Sequence, residues 1–226
     1  MIDLATVTLT PGDHSTREDG VCLLEAVAWV AGEPHSDEPR CVSPLLTAYG
    51  RQLNDVLPDD KRQLLRPLIP LMIGTAGDGH DEARSYLALD WLIRTYTAEW
   101  LSVTGFAIQA TALHGMNEIR SMEAVWAAAP VIRAISNVPE TVTTDLIGEA
   151  TWGVAWYAAY AATSYVWEAA QGTAWNEALA IVWDAVWEFW HAVECTAKHA
   201  PTHLWPVVDR LQDSAISLYQ RMIIPV

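Results

Sequence analysis

The chain has 226 residues, 51% hydrophobic and 18% charged, a balance that excludes disorder and suffices to bury one large core or two small ones. With 28 acidic residues against 13 basic ones the formal net charge is −15, so phosphates are repelled and no nucleic acid is expected as a partner. The opening MIDLATVTLTPGDHS carries neither a basic region nor a long apolar run, so no secretory signal is expected and the expected location is cytoplasmic.

Residues 2–9 alternate, with Ile2, Leu4, Val7 and Leu9 set between threonines. No second strand-like segment accompanies them, and they are expected as a short extended arm lying on the body. Thr16 to Asp19 offers a polar helix start, and Val21 to Ala31 is apolar nearly all round except for Glu25, the pattern of a buried helix ending at Gly32. Prolines at 34, 39 and 44 then hold the chain extended until Ser43 caps a second helix with Pro44 in its first turn. In that helix Leu46, Tyr49, Leu53 and Val56 share a face. Pro58-Asp59-Asp60 opens a third helix, which Pro67 and Pro70 kink or divide before a loop at Gly74 to Gly79.

Asp81 to Val103 reads as one helix, with Tyr86, Leu89, Ile93 and Trp100 inward and Arg84 and Arg94 in reach of Asp81 and Asp90. Helical runs follow around Phe106 to His114 and Glu118 to Ser136, and Asn137 with Pro139 marks the expected boundary between residues 1–138 and 139–226, two parts of one continuous domain. Beyond it eight of the twelve tryptophans appear among many alanines. Val142 to Ala170 and Ala174 to His199 are expected to pair as a long Trp/Ala-rich helical hairpin joined near Gln171-Gly172, large residues packing over small ones. A final helix from about Pro206 to Met222 places Val208, Leu211, Ala215 and Leu218 inward, with Ile223 and Ile224 beneath it. The fold class read from these elements is all-α: a multi-helix bundle with that hairpin and an extended N-terminal arm. Ala150 to Trp167 runs 18 residues without a formal charge, but Ala and Thr predominate and both flanks are acidic, so a buried helix rather than a membrane span is expected.

The densest collection of reactive side chains is Asp19 to Pro44. His14, Cys22, His35 and Cys41 supply zinc-type donors, although the gaps between them hold seven, twelve and five residues, wider than a tight tetrahedral site uses. Cys41 with His35 across the proline-rich turn is the economical thiol–imidazole pair, and Glu25 is the candidate acid or base. A carboxylate among Val21, Leu24, Ala28 and Trp29 must be paired, hydrogen-bonded or protonated, and the favoured partner is one of Arg51, Arg66, Arg84 or Arg94. The cysteines are expected as reduced thiols rather than a Cys22–Cys41 disulfide, with Cys22 a small core residue. GTAGDG at Gly74 to Gly79 lacks the ending of a phosphate-binding loop, and His191, Glu194, Cys195 and Lys198 read as a solvated stripe. No cofactor is expected.

The residues from Gly20 to Pro44, continued by Leu53-Asn54-Asp55, LLRPLIPLMIG at Leu64 to Gly74, LALDWLIRTYTAEWL at Leu87 to Leu101 and SLYQRMIIP at Ser217 to Pro225, resemble a group of uncharacterised proteins from high-GC Gram-positive bacteria and their phages. The resemblance implies an accessory protein of phage or actinobacterial origin and brings no reaction, ligand or catalytic residue. Three functions fit the sequence. The favoured one is a non-enzymatic, acidic, helical protein-binding factor of inhibitor or immunity type, with a basic partner. The others are a small Cys/His hydrolase or zinc-dependent enzyme at residues 22–41, and a structural or virion component that oligomerises through the C-terminal hairpin.

Overall fold

The computed structural model describes residues 4–103, 105–135 and 205–225. Among the described residues the regular structure is helical, with no strand. Contacts divide the chain into two compact units, residues 1–84 with 212–226, and residues 85–211. The expected boundary near Pro139, the Trp/Ala hairpin, the Ala150 to Trp167 run and the His191 to Lys198 stripe lie outside the described residues.

In the first unit the central element is α1, Leu23–Ala31. Leu23 through Ala28 are all buried, which a helix apolar on every side requires. It begins later than Thr16 to Asp19. Those residues form a turn in which the Thr16 hydroxyl donates to Asp19, and the N-cap is Cys22, whose sulfur accepts the Glu25 N–H at 3.5 Å. At the other end Gly32 takes φ 75 and donates to the carbonyls of Ala28 and Trp29, a left-handed cap open to glycine at little cost.

Helix α2, Pro44–Val56, starts as its sequence dictates, the Ser43 hydroxyl accepting from Leu46 N–H and Pro44 filling the first turn. Leu45, Leu46, Tyr49 and Leu53 are buried, and α2 packs against α1. The prolines divide the next segment as anticipated: α3, Asp59–Arg62, passes into a 3-10 stretch, Gln63–Leu68, and then α4, Ile69–Met72, which packs on α1. Arg62, almost wholly buried, donates to the carbonyls of Asn54 and Leu57 and so closes the C-terminal end of α2.

Residues 212–223 of the last helix return to this unit. Tyr219 stacks on Tyr49 with ring centroids 5.5 Å apart; its hydroxyl donates to Leu46 O at 2.9 Å, and that of Tyr49 donates to Ala215 O at 3.3 Å. Such an aromatic pair adds about 0.5–1.5 kcal/mol beyond the area it buries. Gly50 permits the approach, since a Cβ there would overlap the Tyr219 hydroxyl. Arg84, with no exposed surface, pairs with Asp78 and Asp81 and donates to Met222 O at 2.9 Å. Ile223 is buried as expected, whereas Ile224 is 60% exposed.

The arm expectation over residues 2–9 is met from Val7 onward. After a single 3-10 turn at Leu4–Thr6 the chain is extended, Val7 and Leu9 are buried, and Thr6 and Thr8 face solvent.

In the second unit α5, Asp81–Asp90, contributes its residues from Ser85 onward and widens into a π-helix at Trp91–Thr97 before α6, Ala98–Val103. The single helix expected over Asp81 to Val103 is therefore interrupted by wider turns, in which the Thr97 hydroxyl reaches the carbonyl of Leu92 five residues back. Trp91, Tyr96 and Trp100 are buried together, with successive centroids 5.5 and 6.3 Å apart. Helices α7, Ala107–His114, and α8, Met122–Ile135, complete a core of Tyr86, Leu89, Ile93, Leu101, Leu113 and Ile132. Asp90 accepts from Arg94 at 3.1 Å and from the buried Ile119 N–H at 2.8 Å, fixing the connection between α7 and α8. The last helix, α9, Trp205–Ile223, holds Arg210 against Glu99 at 2.9 Å. Among the described residues no helix is long and apolar enough to cross a membrane.

Candidate functional site

Glu25 stands at the third position of α1, where a carboxylate can turn back to an N-cap main-chain N–H. It does so, accepting Cys22 N–H at Oε2 over 2.7 Å, and Cys22 with Glu25 forms a capping box in which a thiol replaces the usual hydroxyl. The rest of the carboxylate faces the arm. Oε1 accepts His14 N–H at 2.7 Å, and Oε2 lies 2.9 Å from His14 Nδ1. From the other side His35 Nε2 stands 3.6 Å from Oε1 and 2.9 Å from His14 O. Only 1% of Glu25 is exposed, so α1, the arm and the loop after α1 meet on one buried carboxylate.

Burial pushes the Glu25 carboxyl up, but the N–H groups of Cys22 and His14 and the His14 imidazole outweigh it and hold the group below the usual carboxylate range. An ionised carboxylate only accepts, which fixes the protons around it. His14 Nδ1 must carry hydrogen, and His35 Nε2 must do so too because both of its neighbours are acceptors. His35 Nδ1 is buried and meets no hydrogen-bond partner among the described residues.

His14 Nε2 is 3.1 Å from the Thr10 hydroxyl, which places hydroxyl, imidazole and carboxylate in the order of a nucleophilic triad. The hydroxyl also accepts Val21 N–H at 3.0 Å, and its one hydrogen has two acceptors in reach, His14 Nε2 and Val21 O at 3.3 Å. Gly20, at φ 149, covers the pair so closely that a Cβ would overlap the His14 ring and the Thr10 oxygen. The arrangement ties the arm to α1.

The two described cysteines, both free thiols, go separate ways. Cys22 is buried, and burial with the Glu25 carboxylate beside it pushes its thiol up to about 12. Cys41 is held by Glu33, which accepts Arg40 N–H at 2.7 Å and Cys41 N–H at 3.0 Å, while Gly74 and Ala76 N–H donate to Cys41 O. Burial and the Glu33 carboxylate raise the Cys41 thiol as well, so neither cysteine is set up by its protein surroundings as a low-pKa nucleophile. The structure thus brings Glu25, His14, His35 and Cys22 together and gives Cys41 to Glu33. Among the described residues no group of three or more His, Cys, Asp or Glu side chains is arranged to hold a metal ion, and His14, Cys22, His35 and Cys41 form no such centre.

The expectation of an arginine beside Glu25 is corrected. Arg51 pairs with Asp37 and Glu38, Arg66 donates to Val7 O and Gln63 O, Arg84 is held by Asp78 and Asp81, and Arg94 by Asp90. Thr10, Asn54 and Gln63, which complete the arm's binding, carry no signal that sequence reasoning could have used. The Cys22-x-x-Glu25 spacing of a capping box does carry one. Comparison with protein families, curated proteins and solved structures finds no match for the chain.

Proposed function

We propose that this is a non-enzymatic accessory protein that binds a basic protein partner, in the manner of an inhibitor or immunity factor. The observation that carries the reading is the charge, −15 on 226 residues. In the first unit Asp13, Glu18, Asp19, Asp60 and Glu82 are all exposed, and an acidic surface of this kind speeds and selects encounters with cationic proteins. The side chains on which the enzymatic reading rests have structural work: Glu25 and His35 contact the arm at His14, Cys22 caps α1, and Glu33 holds the main chain at Cys41.

The test is crosslinking of the full chain in its own cells, purification of the recovered partner, and titration of the pair against salt. Association should weaken about tenfold or more between roughly 50 and 300 mM salt. A pair whose affinity ignores salt, or the recovery of acidic proteins only, would overturn the reading.

A further inference from the structure

Residues 7–14 lie on the first unit without regular structure, bending at Pro11-Gly12 where Gly12 takes φ 81, and their backbone is read by side chains. The carboxamide of Gln63 takes both main-chain groups of Leu9, accepting its N–H and donating to its carbonyl, each at 2.9 Å. Asn54, fully buried, donates to Thr10 O at 2.9 Å; Asp55 accepts Gly12 N–H at 2.8 Å; Arg66 donates to Val7 O at 3.3 Å. Glu25 accepts His14 N–H, and Thr10 N–H donates to Val21 O at 2.9 Å. Val7 and Leu9 are buried while Thr6 and Thr8 face solvent.

Main-chain contacts for affinity and pockets for alternate side chains for selectivity are how proteins hold extended peptides from other molecules. The receptor surface belongs to α1, α2 and the 3-10 stretch, elements that the arm joins through side-chain contacts rather than by sharing their helical hydrogen bonds. The arm is joined to α1 through Ser15 to Asp19, all exposed. We propose that this groove is a peptide-recognition site occupied in cis by the arm, and that an extended segment of the protein partner, apolar at alternate positions, takes it when the arm leaves. The inference rests on the protein-binding reading above and names its surface. A link this short gives the arm an effective concentration on the order of millimolar, so it is a built-in competitor that sets a threshold for the partner.

The test uses the full chain and a labelled synthetic peptide of residues 4–15. Leu9→Asp weakens the arm without touching the groove, and this variant should bind the peptide about tenfold or more tighter than the unaltered chain does. Adding Gln63→Ala should abolish that gain. The peptide carries one acid and one histidine, so its binding should hold between roughly 50 and 300 mM salt, where charge-driven association fades; the two proposals therefore fail separately. A folded Leu9→Asp chain with no saturable binding up to about 1 mM peptide, or with binding indifferent to Gln63→Ala, overturns the proposal. Where Leu9→Asp does not fold, hydrogen exchange of the unaltered chain decides. Amides of Leu9, Gly12 and His14 exchanging about tenfold or more faster than those of α1 and α2 support a detachable arm, and exchange in step with those helices overturns it.

Discussion

Helix α1 has a glutamate at each end, Glu25 in its first turn and Glu33 just past Gly32, and both serve as clasps. Each accepts two main-chain N–H groups, from Cys22 and His14 in one case and from Arg40 and Cys41 in the other. Each also stands beside a cysteine whose thiol it helps to raise. What separates them is water. Glu25 is sealed, and its protein partners are its only ones, whereas Glu33 is partly exposed and solvent can replace whatever the protein withdraws. The same bonds therefore carry different weight at the two ends, because the cost of an unmade hydrogen bond is set by what else can make it.

The largest expected effect follows directly. Glu25→Ala strands buried N–H groups at Cys22 and His14 and should cost about 3 kcal/mol or more in urea unfolding. Acid should reach the same bonds by titration. With its folded pKa depressed, Glu25 contributes stability that is complete above the ordinary glutamate value of about 4.3 and is lost as pH falls through the folded value. Unfolding at a series of pH values should show that slope in the unaltered chain and a smaller one in Glu25→Gln. Next comes Gly20→Ala, whose added methyl displaces the His14 ring from Thr10; about 1–3 kcal/mol is expected, with faster amide exchange in the arm. Glu33→Gln should lower the melting temperature less than any of these, and a loss equal to that of Glu25→Ala would break the comparison. The smallest signature is chemical. Without the Glu33 charge the Cys41 thiol should react several-fold faster with a maleimide, read by peptide mapping, while Cys22 stays unlabelled until the chain unfolds.

The helices were legible wherever the backbone announced itself. Ser43-Pro44, Gly32 and the prolines at 58, 67 and 70 act through local sterics, and each did in the fold what it promised in the sequence. The start of α1 was misplaced, since Thr16 to Asp19 has the composition of a helix start but spends its hydrogen bonds on a turn, while the Cys22-x-x-Glu25 spacing marks the true cap. The widened turns at Trp91–Thr97 left no sequence mark, and in them Trp91 and Tyr96 come into ring contact, with Tyr96 against Trp100. At the site, sequence found that Glu25 needed a partner and looked among the arginines. The partner was His14, brought near by an arm whose path depends on Asn54 and Gln63, more than forty residues away and chemically unremarkable.

The joint between Tyr49 and Tyr219 has a consequence for how the chain is made. Its hydrogen bonds span 166 and 173 residues, and the Arg84 bond to Met222 spans 138. At ordinary rates of synthesis the ribosome needs on the order of ten seconds to travel from Arg84 to Met222. Throughout that interval α1 and α2 exist as nascent chain while the helix that closes over Tyr49, Leu46 and Met72 has yet to be translated. The unit begun first is finished last, and a chaperone or neighbouring chain that meets it in between finds the seat of Tyr219 empty.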